Sequence, residues 1–162
     1  MTIITVTSQK ERLSLEQRRE LARSLTDAVL VPEIGQFLEA ARAGFQVHFV
    51  EREPDTMAIG GVLVSDQQPP QDLIVIDIAV MDGDWSQQVR AEVIQRIYAA
   101  LTEATGASTP PPTWWVNFRV ISDGSWGSRG RVLSILDLLA SGVFSEQKAA
   151  AVRAHIAVTT QG

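Results

Sequence analysis

The sequence contains no cysteine. That excludes disulfides, thiolate metal sites and cysteine nucleophiles, and leaves the redox compartment open. Histidine is scarce too: His48 and His155 lie far apart with no clustered carboxylates, so neither a metal nor another cofactor is expected. There is no basic excess, since 14 Lys and Arg against 19 Asp and Glu leave a net charge of −5. Nothing in that balance attracts nucleic acid or an anionic membrane. No apolar run exceeds strand length, and the start, Met1-Thr2-Ile3-Ile4, has no basic n-region, so a soluble cytoplasmic protein is expected. Ser125, Ser128 and Ser134 have neither a nucleophile-elbow pattern nor a histidine beside them, which leaves serine catalysis without support.

What is present is a repeat. A predicted strand at 3–7, a helix carrying Leu25-Thr26-Asp27-Ala28 and a strand at 45–51 are followed by a strand at 73–80, a helix carrying Leu101-Thr102-Glu103-Ala104 and a strand at 114–121. Two β-α-β units of similar length imply an α/β (α+β) sandwich, with one four-stranded sheet under two helices and a pseudo-twofold axis. All 162 residues are read as one domain. The first unit spans 2–64, a linker with Pro69-Pro70 spans 65–71, the second unit spans 72–131, and a helical tail occupies 132–162.

Local signals refine this. Ser14-Leu15-Glu16-Gln17 reads as a capping box, and Leu21, Leu25, Ala28 and Val29 form an apolar stripe that Pro32 is expected to stop. A short helix is expected within 33–43, ended by Gly44, and a short strand after Gly60-Gly61. Phe45, Val47 and Phe49 alternate with Gln46, His48 and Val50. The strands at 73–80 and 114–121 are expected to be apolar on both faces. The tail is expected to be helical over 132–140 and 145–156, with Ser145 as a cap.

Phe49-Val50-Glu51, a turn and Ala58-Ile59-Gly60-Gly61 resemble the second strand and glycine-pair hairpin of the 4-oxalocrotonate tautomerase group. Ser122-Asp123-Gly124-Ser125-Trp126 with Gly130-Arg131 resembles the end of malonate semialdehyde decarboxylase-like and cis-3-chloroacrylate dehalogenase-like proteins. With the repeat, these residues make the chain similar to the tautomerase superfamily over roughly 2–136. The resemblance implies a barrel-like homotrimer and isomerase chemistry on a small carbonyl or enol acid. It also implies an N-terminal proline of low amine pKa as base, and arginines that clamp a substrate carboxylate.

The chain departs from that pattern. Thr2 stands where the resemblance places the proline, and a retained Met1 would move its primary amine one residue out of place. Gln46 replaces an arginine, Met57 replaces an aromatic wall residue, and Met81-Asp82-Gly83-Asp84 offers carboxylates where an arginine pair is expected. Thr2 (as an N-terminal nucleophile if Met1 is removed), His48 and Asp77 are the candidates for acid, base or nucleophile, each set against an ordinary structural role. Asp77, interrupting an apolar strand, reads as either a pocket acid or half of a buried ion pair with Arg119. Trp115 and Trp126 with Arg129 and Arg131, beside Gln46 and Met57, are the candidate binding residues for a small carboxylate or carbonyl compound. A subunit-contact hairpin is the alternative for the loop Gly124 to Gly130. Two functions stay open: an isomerase of weak or altered activity, and a non-catalytic binding or assembly protein on the same fold.

Overall fold

The computed structural model describes residues 1–159; the last part of the tail expected at 132–162, residues 160–162, lies outside the described residues. Twelve elements follow one another: β1 (Thr2–Gln9), α1 (Leu15–Ile34), β2 (Phe45–Arg52), β3 (Ala58–Ile59), β4 (Val62–Leu63), β5 (Ile74–Met81), α2 (Gln87–Thr105), β6 (Trp114–Ile121), β7 (Trp126–Ser128), β8 (Arg131–Leu133), α3 (Ile135–Ala140) and α4 (Glu146–Thr159). The main sheet has the order β2-β1-β5-β6. β1 runs parallel to β2 and β5 parallel to β6, while β1 and β5 meet antiparallel at the centre.

Alternation decides which side chains meet the helices. Ile4, Val6, Ile74, Ile76 and Ile78 are fully buried against Leu21, Leu25, Val29, Val93, Ile97 and Leu101 of α1 and α2. Burying each such side chain contributes roughly 1.5–3 kcal/mol, so this layer dominates the stability of the sheet–helix sandwich. The capping box forms as read: Ser14 Oγ accepts from the Gln17 N–H at 3.2 Å and Gln17 Oε1 accepts from the Ser14 N–H at 2.8 Å.

The strand registers put the two halves of the sheet in correspondence. Thr5 pairs with Asp77 at the centre of the antiparallel ladder, so the pseudo-twofold axis passes between them. Ile3 then corresponds to Val75, and Thr7 to Ala79. Ser14 caps α1 as Ser86 caps α2, and Gly35 ends α1 as Gly106 ends α2, both with positive φ. Counted from the N-caps, Leu25 corresponds to Ile97, not to Leu101. The likeness of Leu25-Thr26-Asp27-Ala28 to Leu101-Thr102-Glu103-Ala104 is out of step by one helical turn. A four-residue slip keeps the apolar stripe on the same face and so leaves no trace in the pattern.

Several local expectations change. α1 runs through Pro32 to Ile34. A proline removes only its own N–H bond and crowds the carbonyl four residues back; the following residues stay helical because Pro32 and Ile34 are buried. The short helix expected in 33–43 is a 3₁₀ segment at Glu39–Gly44. The glycine pair joins two short strands instead of preceding one: both glycines have positive φ (62° and 82°), the hairpin turn that matches strand twist. Residues 131–133 form a strand paired with β7, because Ser134, not the preceding residues, caps α3 with Asp137 in a second capping box. Ser145 Oγ accepts the Lys148 N–H at 3.2 Å at the start of α4.

The face of the sheet away from the helices is not uniformly apolar. Its middle row is His48, Thr5, Asp77 and Asn117 across the four strands. One flanking row is Gln46, Ile3, Ala79 and Arg119; the other is Val50, Thr7, Val75 and Trp115. The expectation of two dry faces on β5 and β6 therefore fails on this side. A run rich in apolar letters hides Asp77, Asn117 and Arg119 at alternate positions.

Candidate functional site

The row Gln46-Ile3-Ala79-Arg119 forms the floor of a cleft of about 350 Å³ at the N-terminal end of β1. The β7–β8 hairpin folds over it and supplies Trp126 and Ser128 as a wall; Met1, Thr2 and Gly44 close the other end. Arg119 is exposed and makes no ion pair among the described residues. It is the sole guanidinium on the lining, which carries no carboxylate. A guanidinium in this position can receive a carboxylate through two parallel hydrogen bonds. Gln46 adds amide donor and acceptor capacity and is hydrogen-bonded to His48 Nε2 at 3.0 Å. His48 is thus linked to the cleft by one side chain.

The chemistry beneath the cleft differs from the expectation. Thr2 is 1% exposed, and its hydroxyl donates to Glu33 Oε2 at 2.9 Å on the helix side of the sheet. The hydroxyl therefore faces away from the cleft. Glu33, in the last turn of α1, is itself buried. Burial pushes its carboxyl above the usual range, opposed by the Met1 amino group, the Thr2 hydrogen bond and Lys148. Lys148 of α4 is buried beside it and donates to Asp84 Oδ2 at 2.8 Å and to the Asp84 carbonyl at 3.2 Å. Gly35 lets α4 approach: a Cβ there would lie 2.4 Å from Ser145 Oγ.

Asp82 and Asp84, expected to repel an anion, do not line this cleft. Asp84 is bound to Lys148, and Asp82 lies 3.2 Å from His155 Nε2 of α4. The tail packs against that loop and engages its carboxylates. Asp77 is exposed, and its partner is Asn117 Nδ2 at 3.2 Å, not Arg119. Register is the reason: Asp77 lies opposite Asn117, while Arg119 lies opposite Ala79.

The remaining candidates are dispersed. Arg129 occupies the β7–β8 turn with φ 53°, and Arg131 pairs with Asp137 at 3.2 Å; neither lines the cleft. Trp114 is 2% exposed in the core, whereas Trp115 is 53% exposed and lines, with Met57, a separate cleft at the opposite end of the sheet. The structure thus brings Thr2, Gln46 and Trp126 together and separates them from Met57 and Trp115. Arg119, Glu33 and Lys148 were missed as contributors. Alternation along 114–121 carried the signal for Arg119: counting by two from Trp115 reaches it on the exposed face.

No protein-family model and no curated protein matches the sequence. Solved structures do match, and they show the fold: the chain has a tautomerase-like fold. A member of the cis-3-chloroacrylic acid dehalogenase family aligns with a TM-score of 0.67 at 18% identity over 86% of this chain and 91% of its own. A symmetric trimer of fused 4-OT aligns with a TM-score of 0.64 at 17% identity over 83% and 96%. A macrophage migration inhibitory factor-like protein from Entamoeba histolytica aligns with a TM-score of 0.59 at 15% identity over 82% and 98%. Among the described residues no helix is long and apolar enough to cross a membrane.

Proposed function

We propose that this chain is a divergent tautomerase-superfamily protein that binds a small carbonyl or enol carboxylate in the Gln46–Arg119–Trp126 cleft, with proline-type isomerase turnover weak or lost. The observation that carries this reading is Arg119, a guanidinium without an ion pair among the described residues, on a lining free of carboxylates. Arg119 takes the anion-binding role expected of Arg129 and Arg131, and Trp126 supplies the aromatic wall. Loss of turnover is supported by the absence of proline from β1 and by the Thr2 hydroxyl being engaged with Glu33. A residual isomerase activity is the second reading. It is favoured by the His48–Gln46 hydrogen bond, which places an imidazole, a group that can carry a proton, one side chain from the cleft.

The assembly belongs to the same proposal. A fused 4-OT structure is a trimer, and this chain exposes Val62 and Leu63 on the β3–β4 hairpin and Val132 and Leu136 beyond the other. Contacts through these four exposed apolar residues would join three copies and leave the polar middle row lining the interior. The function test is the conversion of phenylenolpyruvate to its keto form. The proposal expects kcat/KM far below ~10⁴ M⁻¹s⁻¹, the lower end for efficient enzymes. Turnover above that value would overturn it.

A further inference from the structure

The pseudo-twofold axis carries the cleft just described onto a second one. Gln46 maps to Trp115, Arg119 to Val50, Ile121 to Arg52 and Trp126 to Met57, because the ladder registers and the two hairpin turns coincide. At the mapped position there is a cleft of about 330 Å³ on the sheet's other end. A cavity of that size lies within the range of small-molecule sites.

Its chemistry is different. The Trp115 indole N–H donates to the Pro112 carbonyl at 3.0 Å, so the ring is fixed and presents only its apolar surface. Met57, Leu73 and Val75 complete an apolar lining, and a thioether is a favourable neighbour for an aromatic ring. The Thr56 and Thr113 hydroxyls are occupied by the Glu53 and Asp72 carbonyls. The Thr7 hydroxyl makes no hydrogen bond among the described residues. Arg52 is the sole cation on the lining, makes no ion pair among the described residues, and faces no carboxylate there.

We propose that this second cleft is a binding site for a flat aromatic monocarboxylate, its ring against Trp115 and Met57, its carboxylate on Arg52, with the Thr7 hydroxyl as a further donor. An aromatic ring matches a fixed indole face and a thioether, and one carboxylate matches one unpaired guanidinium. The site goes beyond the proposed function: it shares no lining residue with the Gln46 cleft and does not depend on what that cleft binds.

The test is an NMR titration of the full chain with 2-naphthoate, read at the four tryptophan indole N–H signals. Trp115→Phe and Trp126→Phe assign the two that matter. The proposal expects the Trp115 signal to shift saturably, Arg52→Met to weaken binding at least about tenfold, as for the loss of one charged hydrogen-bonding partner, and Arg119→Val to leave it unchanged. Uncharged 2-naphthamide should bind at least about tenfold more weakly. No saturable shift at Trp115 would overturn the proposal, as would a shift that survives Arg52→Met. A Trp115 signal that moves with protein concentration before any naphthoate is added would mean a second copy fills the cleft, and would overturn it as well. A shift at Trp126 alone would assign the ligand to the other cleft and overturn this site.

Discussion

The two ends of the sheet are built alike and equipped differently. Both have a cleft floored by residues of corresponding rows and walled by the first strand of a hairpin whose two-residue turn has positive φ at both positions, Gly60-Gly61 in one and Arg129-Gly130 in the other. One end carries Gln46, Arg119 and Trp126; the other carries Trp115, Val50 and Met57 in the corresponding places. The helix-facing layer tells a different story, since Ile4 and Ile76, Val6 and Ile78, Leu21 and Val93, and Leu25 and Ile97 remain apolar in both halves. The core tolerates little chemical change because an unpaired polar group there costs stability. The open face is free to differ, and the proposed binding specificities rest on the difference between the ends.

The largest expected effects test the symmetry of the core. Ile4→Ala and Ile76→Ala remove corresponding, fully buried side chains, and each should cost about 2–5 kcal/mol in urea unfolding. A loss at one position with near-neutrality at the other would break the correspondence of the halves. Next come the clefts themselves. Arg119→Val should weaken binding of 2-oxobutanoate by about 1.5–3 kcal/mol, the range for a charged hydrogen bond, as measured by titration. Val50→Arg, its mapped counterpart, should add affinity for small carboxylates at the apolar end. Failure of both would show that the guanidinium does not set the character of either cleft.

A third expectation concerns the polar pair that one half alone possesses. Thr2 and Glu33 lie beneath the first cleft, whereas the counterpart of Thr2 is the apolar Ile74. The Glu33 carboxyl is held above its ordinary value of 4.5, chiefly by burial. The folded state then retains a proton that the unfolded chain releases. This contribution to stability is fully present below pH 4.5 and is lost as pH rises from there through the higher folded-state pKa. Glu33→Gln removes the effect, so the variant should gain relative to the parent with rising pH, by at most ~1.4 kcal/mol per pH unit inside that window. A difference between the two proteins that does not change with pH would contradict the assignment. The smallest effects are at the hairpin turns. Gly60→Ala should cost about 1 kcal/mol, while Arg129→Gly should gain about 0.5 kcal/mol by relieving a left-handed non-glycine residue. Thermal unfolding of both variants measures the contrast.

The sandwich was legible because its signals are local and repeated. The Ser14 cap, the alternation of Phe45, Val47 and Phe49, and the near-continuous apolar run of β5 each specify one element, and their order gives the architecture. Extents were less legible. Pro32 is a strong stop signal that burial overrode, and a one-turn slip between the helices was invisible to a pattern with helical period. The site was the least legible part. Arg119 and Gln46 are far apart in sequence and meet only through the register of three strand pairs. The roles of Lys148 and His155 depend on where α4 docks, and nothing in that helix's own sequence states this. The reading of Asp77 as half of a buried ion pair fails because an acid within an apolar run looks buried until the face it occupies is known.

The most direct test of the central claim is an NMR titration of the full chain with 2-oxobutanoate, comparing the parent with Arg119→Val. The ligand is small, carries one carboxylate, and lacks a ring for the apolar cleft. Saturable movement of the Trp126 indole N–H signal in the parent, strongly reduced in Arg119→Val and without movement at Trp115, is the expected result. Binding of equal strength in both proteins, or no movement at Trp126, would contradict the account.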